Sequence, residues 1–273
     1  MSDKPRVAVL MAAHCPPKVL KVTLGTWLQQ YDGSYDADVY IGLHKNYHHY
    51  NSGIEEIRKM EGPVTLVYVD EINWAEEVGS VRQILRFSKM HALNLLEIMK
   101  AAKNKDFTHA FIFDHDLIFK DDFIGWMMRE RPNTDMVCSL LGNRTNDEKI
   151  ASFLGEQFVF APKPSAWHMM ISRKVFDILV DHGDLVLPGF ENGKMYDTLS
   201  LAYHYVSRWG MVVKTYTEEE MARHIQHIWS MSMNYGMTHA GIDSYRNKLD
   251  WFEREYDARF PNGIGDLLKK LER

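Results

Sequence analysis

The sequence predicts an α/β protein in which a mostly parallel sheet is flanked by helices. Three observations carry this prediction. Short runs rich in β-branched and aromatic residues alternate with helical patterns. One long segment between two of these runs has the periodicity of an amphipathic helix. No linker rich in glycine, proline and serine interrupts the 273 residues, which favours one continuous domain.

The predicted strands come first along the chain. Five runs have strand composition, at 7–13, 38–43, 64–70, 109–113 and 136–141. Between the third and fourth runs, apolar residues recur at three- and four-residue steps from Val81 to Met99. This spacing places one apolar stripe on a long helix.

The second half has a different character. Residues 142–164 are predicted to be a loop, and 166–172 to be a further strand that is followed by helices. Thr217 and Glu220 have the spacing of a helix capping box, in which each side chain bonds the other residue's backbone N–H. We interpret 217–273 as a C-terminal helical extension.

Composition limits the class of protein. Hydrophobic residues make up 45% of the chain, enough for a large core, and the net charge of −5 is opposite to that of a general nucleic-acid binder. Cys15 and Cys138 are too few for a disulfide framework, and both are expected to be reduced. No apolar run approaches the ~20 residues of a membrane span, and the first run is too short for a signal peptide. These observations predict a soluble, cytoplasmic protein.

Two carboxylates follow the fourth predicted strand. Asp114 and Asp116 flank His115 directly after the apolar run 109–113. Open α/β sheets bind ligands at the carboxyl ends of their strands, and residues i and i+2 of a strand face the same way. If the strand continues this far, both carboxylates can bind one Mg²⁺ or Mn²⁺, which would bridge a substrate diphosphate. The alternative is a solvated turn, where aspartate is also common.

The order of motifs resembles the GT-A glycosyltransferases, in particular the inverting family-2 type, over residues 6–216. The first strand ends in a small turn at Ala13-His14, and an Asp-x-Asp motif follows a later strand. The stretch 167–176 resembles the family's acceptor-side strand and helix. The stretch 196–210 resembles its acidic motif and helix, although Tyr196 stands where the family usually has glutamate.

This resemblance implies a Rossmann-like GT-A fold and a metal-dependent hexosyltransferase. Residues 1–141 would be the nucleotide-sugar half and 142–216 the acceptor-side half of one domain. The donor would be a nucleotide diphosphate sugar, most often UDP-linked, and Mn²⁺ or Mg²⁺ would be held by Asp114 and Asp116. The acceptor would be a hydroxyl of a saccharide, a protein, a small molecule or a modified nucleobase.

The resemblance also implies roles for further residues. Asp197 is the candidate catalytic base, with Glu191 in reserve, and a histidine beyond the acceptor region would complete the metal shell. His224 and His227 are the candidates for that ligand, since they would share one face of a helix. Residues expected near the donor, or stacked on a sugar, are Ala13, His14, Asp70, Arg82, His115, Trp167 and Trp209.

Plain structural alternatives exist for these roles. Asp197 could be a helix N-cap, the two histidines an ordinary polar face, and Asp70 and Arg82 surface ion pairs. A nucleotidyltransferase of related fold normally has a glycine-rich first loop, and residues 13–17 contain no glycine. A GT-A domain that binds a sugar or partner without turnover is the third possibility.

Overall fold

A central seven-stranded sheet forms the middle layer of the protein, and helices cover both of its faces. The computed structural model describes residues 4–44, 57–69, 83–139, 149–153, 156–160, 164, 168–191, 194–228 and 241–272. The seven strands of the central sheet are counted within this described part of the chain.

The strands of the described chain are short. They are β1 (Arg6–Ala12), β2 (Asp36–His44), β3 (Val64–Val69), β4 (His109–Phe113), β5 (Leu117–Phe119), β6 (Met136–Ser139), β7 (Lys149–Phe153), β8 (Glu156–Phe160), β9 (His168–Ser172), β10 (Gly189–Glu191), β11 (Lys194–Tyr196), β12 (Val213–Tyr216) and β13 (Ile225–His227).

The helices vary more in length. They are α1 (Pro17–Gln30), α2 (Gln83–Ala102), α3 (Phe123–Glu130), α4 (Arg173–Asp181), α5 (Ser200–Arg208), α6 (Glu218–His224), α7 (Ile242–Arg259) and α8 (Gly265–Leu268). Within the described chain, none of them is both long and apolar enough to span a bilayer.

The central sheet has the strand order β12-β6-β9-β4-β1-β2-β3. Neighbouring strands are parallel except around β9, which runs antiparallel to both β4 and β6. A smaller sheet has the order β10-β11-β8-β7, and β5 and β13 form a separate two-stranded ribbon. The predicted fold class, a mixed and mostly parallel sheet flanked by helices, is confirmed.

Strand β1 shows why both faces of the sheet need a helical layer. Alternate residues of a strand point to opposite faces. Val7 and Val9 belong to a core cluster that contains α1 and the C-terminal Phe252. Ala8 and Leu10 belong to the cluster on the other face, which contains residues of α2, α4 and α5. The strand is therefore buried on both sides over its apolar positions, Val7 to Ala12.

The expected loop over 142–164 is wrong, because it contains the antiparallel pair β7 and β8. Their alternation is weak, since Ser152, Glu156 and Gln157 dilute the apolar positions. Only Leu154 and Gly155 separate the two strands in the sequence, which is the spacing of a tight hairpin. The predicted strand 109–113 coincides with β4, and the other predicted strands match β1, β2, β3, β6 and β9 to within two residues at the ends that lie in the described part.

The starts of α5 and α6 decide two interpretations of helix capping. Asp197 is not an N-cap, because α5 begins at Ser200 with Leu199 at the capping position. The capping box of Thr217 and Glu220 is present at the start of α6, with both reciprocal bonds. The described part of 217–273 is mainly helical, but it also contributes strand β13. Its treatment as an extension separate from 1–216 stays a prediction.

Candidate metal centre

The Asp114–Asp116 segment is a turn at the carboxyl end of β4. The strand ends at Phe113 and β5 begins at Leu117, so strand geometry does not continue through the two aspartates. The turn is instead held by Thr23 of α1. The Thr23 hydroxyl donates to the carbonyl of His115 at 2.6 Å and accepts from the N–H of Leu117 at 3.1 Å.

A third side chain reaches this turn from the far end of the sequence. Strand β13 pairs antiparallel with β5, which places His227 opposite Leu117. The Ile228 N–H donates to the carbonyl of Asp116 at 3.0 Å and continues the pairing into the turn. His227 Nε2 lies 2.9 Å from Asp116 Oδ1 and 3.9 Å from Asp114 Oδ2.

Asp114, Asp116 and His227 therefore form one cluster. Each can offer a ligand atom such that all three atoms lie within 4.8 Å of one another. The side chains of Asp116 and His227 are 4% and 7% exposed, whereas that of Asp114 is 24% exposed. The protein encloses Asp116 and His227, whereas solvent can reach the cluster at Asp114.

The negative charge of Asp114 and Asp116 favours a positively charged group beside them. Burial lowers the pKa of His227, but the carboxylates of Asp116 and Asp114 outweigh burial, so the pKa lies above its ordinary value. Burial and the same two carboxylates raise the pKa of the Cys15 thiol well above its usual range, which keeps that thiol protonated. Buried carboxylates need a proton or a cation to compensate their charge.

The donor set fits a divalent metal. Two carboxylate oxygens and one imidazole nitrogen suit Mn²⁺ and related transition metals, whereas Mg²⁺ prefers oxygen ligands alone. Three protein ligands leave positions for water or substrate oxygens. Asp114, Asp116 and His227 are the residues that would hold such an ion.

His224 lies outside the cluster, and the prediction that it shares a helix face with His227 is wrong. Helix α6 ends at His224, and His227 is on the following strand. His224 Nδ1 lies 2.6 Å from Asp121 Oδ2, and its ring stacks on Trp126 at 3.9 Å. These contacts hold α6 against α3.

The turn after β1 does come close to the Asp-x-Asp turn. The rings of His14 and His115 lie 6.1 Å apart. His115 is 4% exposed and its Nδ1 donates to the carbonyl of Ala12 at 3.2 Å, so its side chain joins two strand ends inside the protein. His14 and Ala13 are also buried.

Sequence reasoning missed two residues beside the carboxylates. His91 of α2 lies with Nε2 3.7 Å from Asp114 Oδ1, and its ring is 5.7 Å from that of His14. Thr23 is the other. His91 on α2 and Thr23 on α1 have no local sequence signal, because only the tertiary packing of the two helices brings them to the Asp114–Asp116 turn.

Among the other predicted site residues, Asp197 and Trp209 are in the described part of the chain, and neither belongs to the cluster. Asp197 follows β11 of the smaller sheet, and its carboxylate accepts from the Thr198 N–H at 2.7 Å. Glu191 ends β10, and its side chain lies outside the described part. Trp209 is 47% exposed after α5. Asp70, Arg82 and Trp167 lie outside the described residues.

Replacing Thr23 with valine is expected to lower the free energy of unfolding by about 1 to 3 kcal/mol. The variant keeps the shape of the side chain but leaves a buried carbonyl and a buried N–H without their partner. Urea unfolding measures the loss, with the exposed Thr215→Val on β12 as the matched control. Mn²⁺ affinity should fall as well, because the Asp114–Asp116 turn loses its hydrogen bonds to Thr23. Equal stability of Thr23→Val and Thr215→Val would contradict this role for Thr23.

Stability should also fall on acidification below about pH 6.5, because of His168. Burial, and then the charge of His227, hold the pKa of His168 well below its ordinary value. Protons therefore bind the unfolded chain more strongly, and stability present above pH 6.5 is lost as the pH falls, by at most about 1.4 kcal/mol per pH unit.

Urea unfolding of metal-free protein between pH 5 and 8 tests this expectation. His168→Gln should flatten the acid side of the curve, although His109, whose pKa is also lowered by burial, leaves part of the slope. An unchanged acid slope in His168→Gln would show that His168 is not held neutral.

Fold and site together define an α/β protein with a carboxylate and imidazole cluster at the carboxyl edge of its central sheet. No protein-family model and no curated protein matches the sequence. Among solved structures, the chain is similar to a mannosyltransferase from Pyrobaculum calidifontis in complex with GDP-Man and Mn²⁺. That match has 13% sequence identity and a TM-score of 0.42, and it covers 80% of this chain and 56% of the mannosyltransferase chain.

The chain thus spans little more than half the length of that structure. A match at this level of similarity does not identify the chemistry of the site. The expected membership of the family-2 type stays a prediction.

Proposed function

We propose that the protein is a metal-dependent glycosyltransferase of GT-A type, which transfers a hexose from a nucleotide diphosphate sugar to an acceptor hydroxyl. The observation that carries the proposal is the convergence of Asp114, Asp116 and His227 within 4.8 Å at the carboxyl edge of the sheet. This edge is where open α/β sheets bind nucleotides. The order of the sequence motifs supports the same class.

In this proposal, Asp114, Asp116 and His227 would hold the metal at the site of the donor diphosphate. A bound Mn²⁺ supplies Lewis-acid stabilisation of the charge that develops on the leaving diphosphate. Asp116 and His227 hold their positions because β5, β13 and Thr23 fix the surrounding backbone. Asp114 is the ligand with most access to substrate.

The transfer step breaks the bond between the sugar's anomeric carbon and the phosphate oxygen and forms a bond from that carbon to the acceptor oxygen. The nucleoside diphosphate leaves with the electron pair of the broken bond. We assign Asp197 as the base that takes the acceptor proton, with Glu191 as the alternative. Attack opposite the leaving group inverts the anomeric centre. The proposed donor nucleotide is UDP.

Donor hydrolysis tests the proposal. UDP- and GDP-linked hexoses are incubated with the protein with and without Mn²⁺, and the release of nucleoside diphosphate is measured. Asp114→Asn should abolish the metal-dependent release. Asp121→Asn is the matched control, because Asp121 is paired with His224 outside the cluster.

A cognate donor with Mn²⁺ should also stabilise the fold by roughly 2.7 kcal/mol at 100 times its dissociation constant. Release of pyrophosphate from nucleotides would indicate a nucleotidyltransferase instead. Absence of donor turnover and of any thermal shift, with Asp114→Asn behaving as wild type, would overturn the proposal.

A further inference from the structure

His91 lies on the accessible side of the metal cluster. Its side chain is 17% exposed and that of Asp114 is 24% exposed. The side chains of Asp116 and His227 are enclosed by the protein, at 4% and 7% exposure. A ligand that approaches the cluster from solvent therefore meets Asp114 and His91 first.

The carboxylate of Asp114 lies between two described imidazoles. Its Oδ2 is 3.9 Å from Nε2 of His227, and its Oδ1 is 3.7 Å from Nε2 of His91, so the two nitrogens approach different oxygens. The ligand atoms that lie within 4.8 Å of one another include one from His227 but none from His91. His227 is thus placed to hold an ion, and His91 is placed to contact a molecule that binds beside the ion.

Helix α2 fixes the position of His91 at the sheet edge. Asn94 follows His91 by three residues, so both lie on the same face of the helix. The Asn94 side chain donates from Nδ2 to the carbonyl of Gly42 on β2 at 3.1 Å. This approach requires glycine, because a Cβ atom at position 42 would clash with Asn94 Oδ1. The Ala13 N–H donates to the same carbonyl at 3.0 Å, which ties α2 to the ends of β1 and β2.

The chemistry of an imidazole suits a phosphate oxygen. A diphosphate brings negative charge to a site that already contains the carboxylates of Asp114 and Asp116, so hydrogen-bond donors there favour its binding. An imidazole has one N–H donor in its neutral form and two when it is charged, so it can donate in either form. A hydrogen bond to an ionised acceptor is roughly twice as strong as one between neutral groups.

We propose that His91 binds the donor, through a hydrogen bond from Nε2 to a diphosphate oxygen on the solvent side of Asp114. This role rests on the proposed glycosyltransferase function, to which it adds a residue that recognises the donor. Because His91 contacts the substrate and not the ion, its replacement separates two affinities. The affinity for a diphosphate falls, and the affinity for Mn²⁺ is kept.

Titration calorimetry with UDP, GDP and inorganic pyrophosphate, each in saturating Mn²⁺, tests this role. His91→Ala should weaken the binding of those diphosphates that the wild type binds by about tenfold or more, the effect of losing one hydrogen bond to a charged group. His91→Gln keeps an N–H donor and should retain more of the affinity. His91→Leu repeats the test with more of the side-chain volume, and all three replacements are good helix formers.

Electron paramagnetic resonance of free Mn²⁺, without a diphosphate, should give each variant the metal affinity of the wild type. The matched control is His109→Ala, at the start of β4 and so at the opposite edge of the sheet. Equal diphosphate affinity of the wild type, His91→Ala and His91→Leu would overturn the role of His91 and leave the proposed function standing. A parallel loss of Mn²⁺ affinity would make His91 a metal ligand and would also overturn it. A wild type that binds none of the three diphosphates would refute the proposed function and this role together.

Discussion

Replacing His227 with glutamine is expected to reduce Mn²⁺-dependent donor hydrolysis at least about 100-fold, equivalent to about 2.7 kcal/mol of transition-state stabilisation. The variant removes the one nitrogen ligand of the cluster. It also leaves the carboxylate of Asp116, whose side chain is 4% exposed, without its partner at 2.9 Å. Two ligands cannot hold the ion as tightly as three.

His224→Gln is the matched control for this prediction. It changes a histidine three residues away that is also paired with an aspartate, but through Asp121 and outside the cluster. Free Mn²⁺, measured by electron paramagnetic resonance, gives the metal affinity of each variant without reference to activity. Equal loss of Mn²⁺ affinity in both variants would show that the cluster is an ion pair and not a metal site.

Replacing Phe113 with alanine should lower the free energy of unfolding by about 3 to 5 kcal/mol. Phe113 is 1% exposed at the end of β4, and its ring lies 5.1 Å from that of Phe119. The truncation leaves a cavity next to the Asp114 turn in a fold whose whole stability is expected to be about 5 to 15 kcal/mol. Metal affinity should fall with stability.

Guanidinium unfolding measures this loss, and Phe113→Leu is the control because it keeps most of the buried volume. The leucine variant should lose less than half as much stability as the alanine variant. Equal stability of wild type and Phe113→Ala would contradict the packing of this ring in the core.

The fold was predictable from the sequence because its central strands are short apolar runs. The run 109–113 coincides with β4, and the two acids after it are at the sheet edge where they were expected. The hairpin of β7 and β8 was missed, since Ser152, Glu156 and Gln157 interrupt the apolar pattern that would have indicated strands. Apolar content identifies strands that are buried on both faces more easily than strands at a margin.

The site was predictable only in part. The two aspartates are separated in the sequence by His115 alone, and this spacing is itself the signal. The choice between His224 and His227 depends on where α6 ends and on the pairing of β13 with β5, which sequence periodicity cannot resolve. Thr23 and His91 contact the turn from separate helices, and long-range packing alone makes them part of the site.

The pairing of β13 with β5 also sets the order in which the cluster can be assembled during synthesis. His227 lies 111 residues after Asp116, so a ribosome has completed the Asp114–Asp116 turn long before it adds the imidazole. At the roughly 5 to 20 residues per second of translation, this interval is several seconds or more. A nascent chain in that interval has both carboxylates but lacks His227, and it can acquire full metal affinity only after β13 has joined β5.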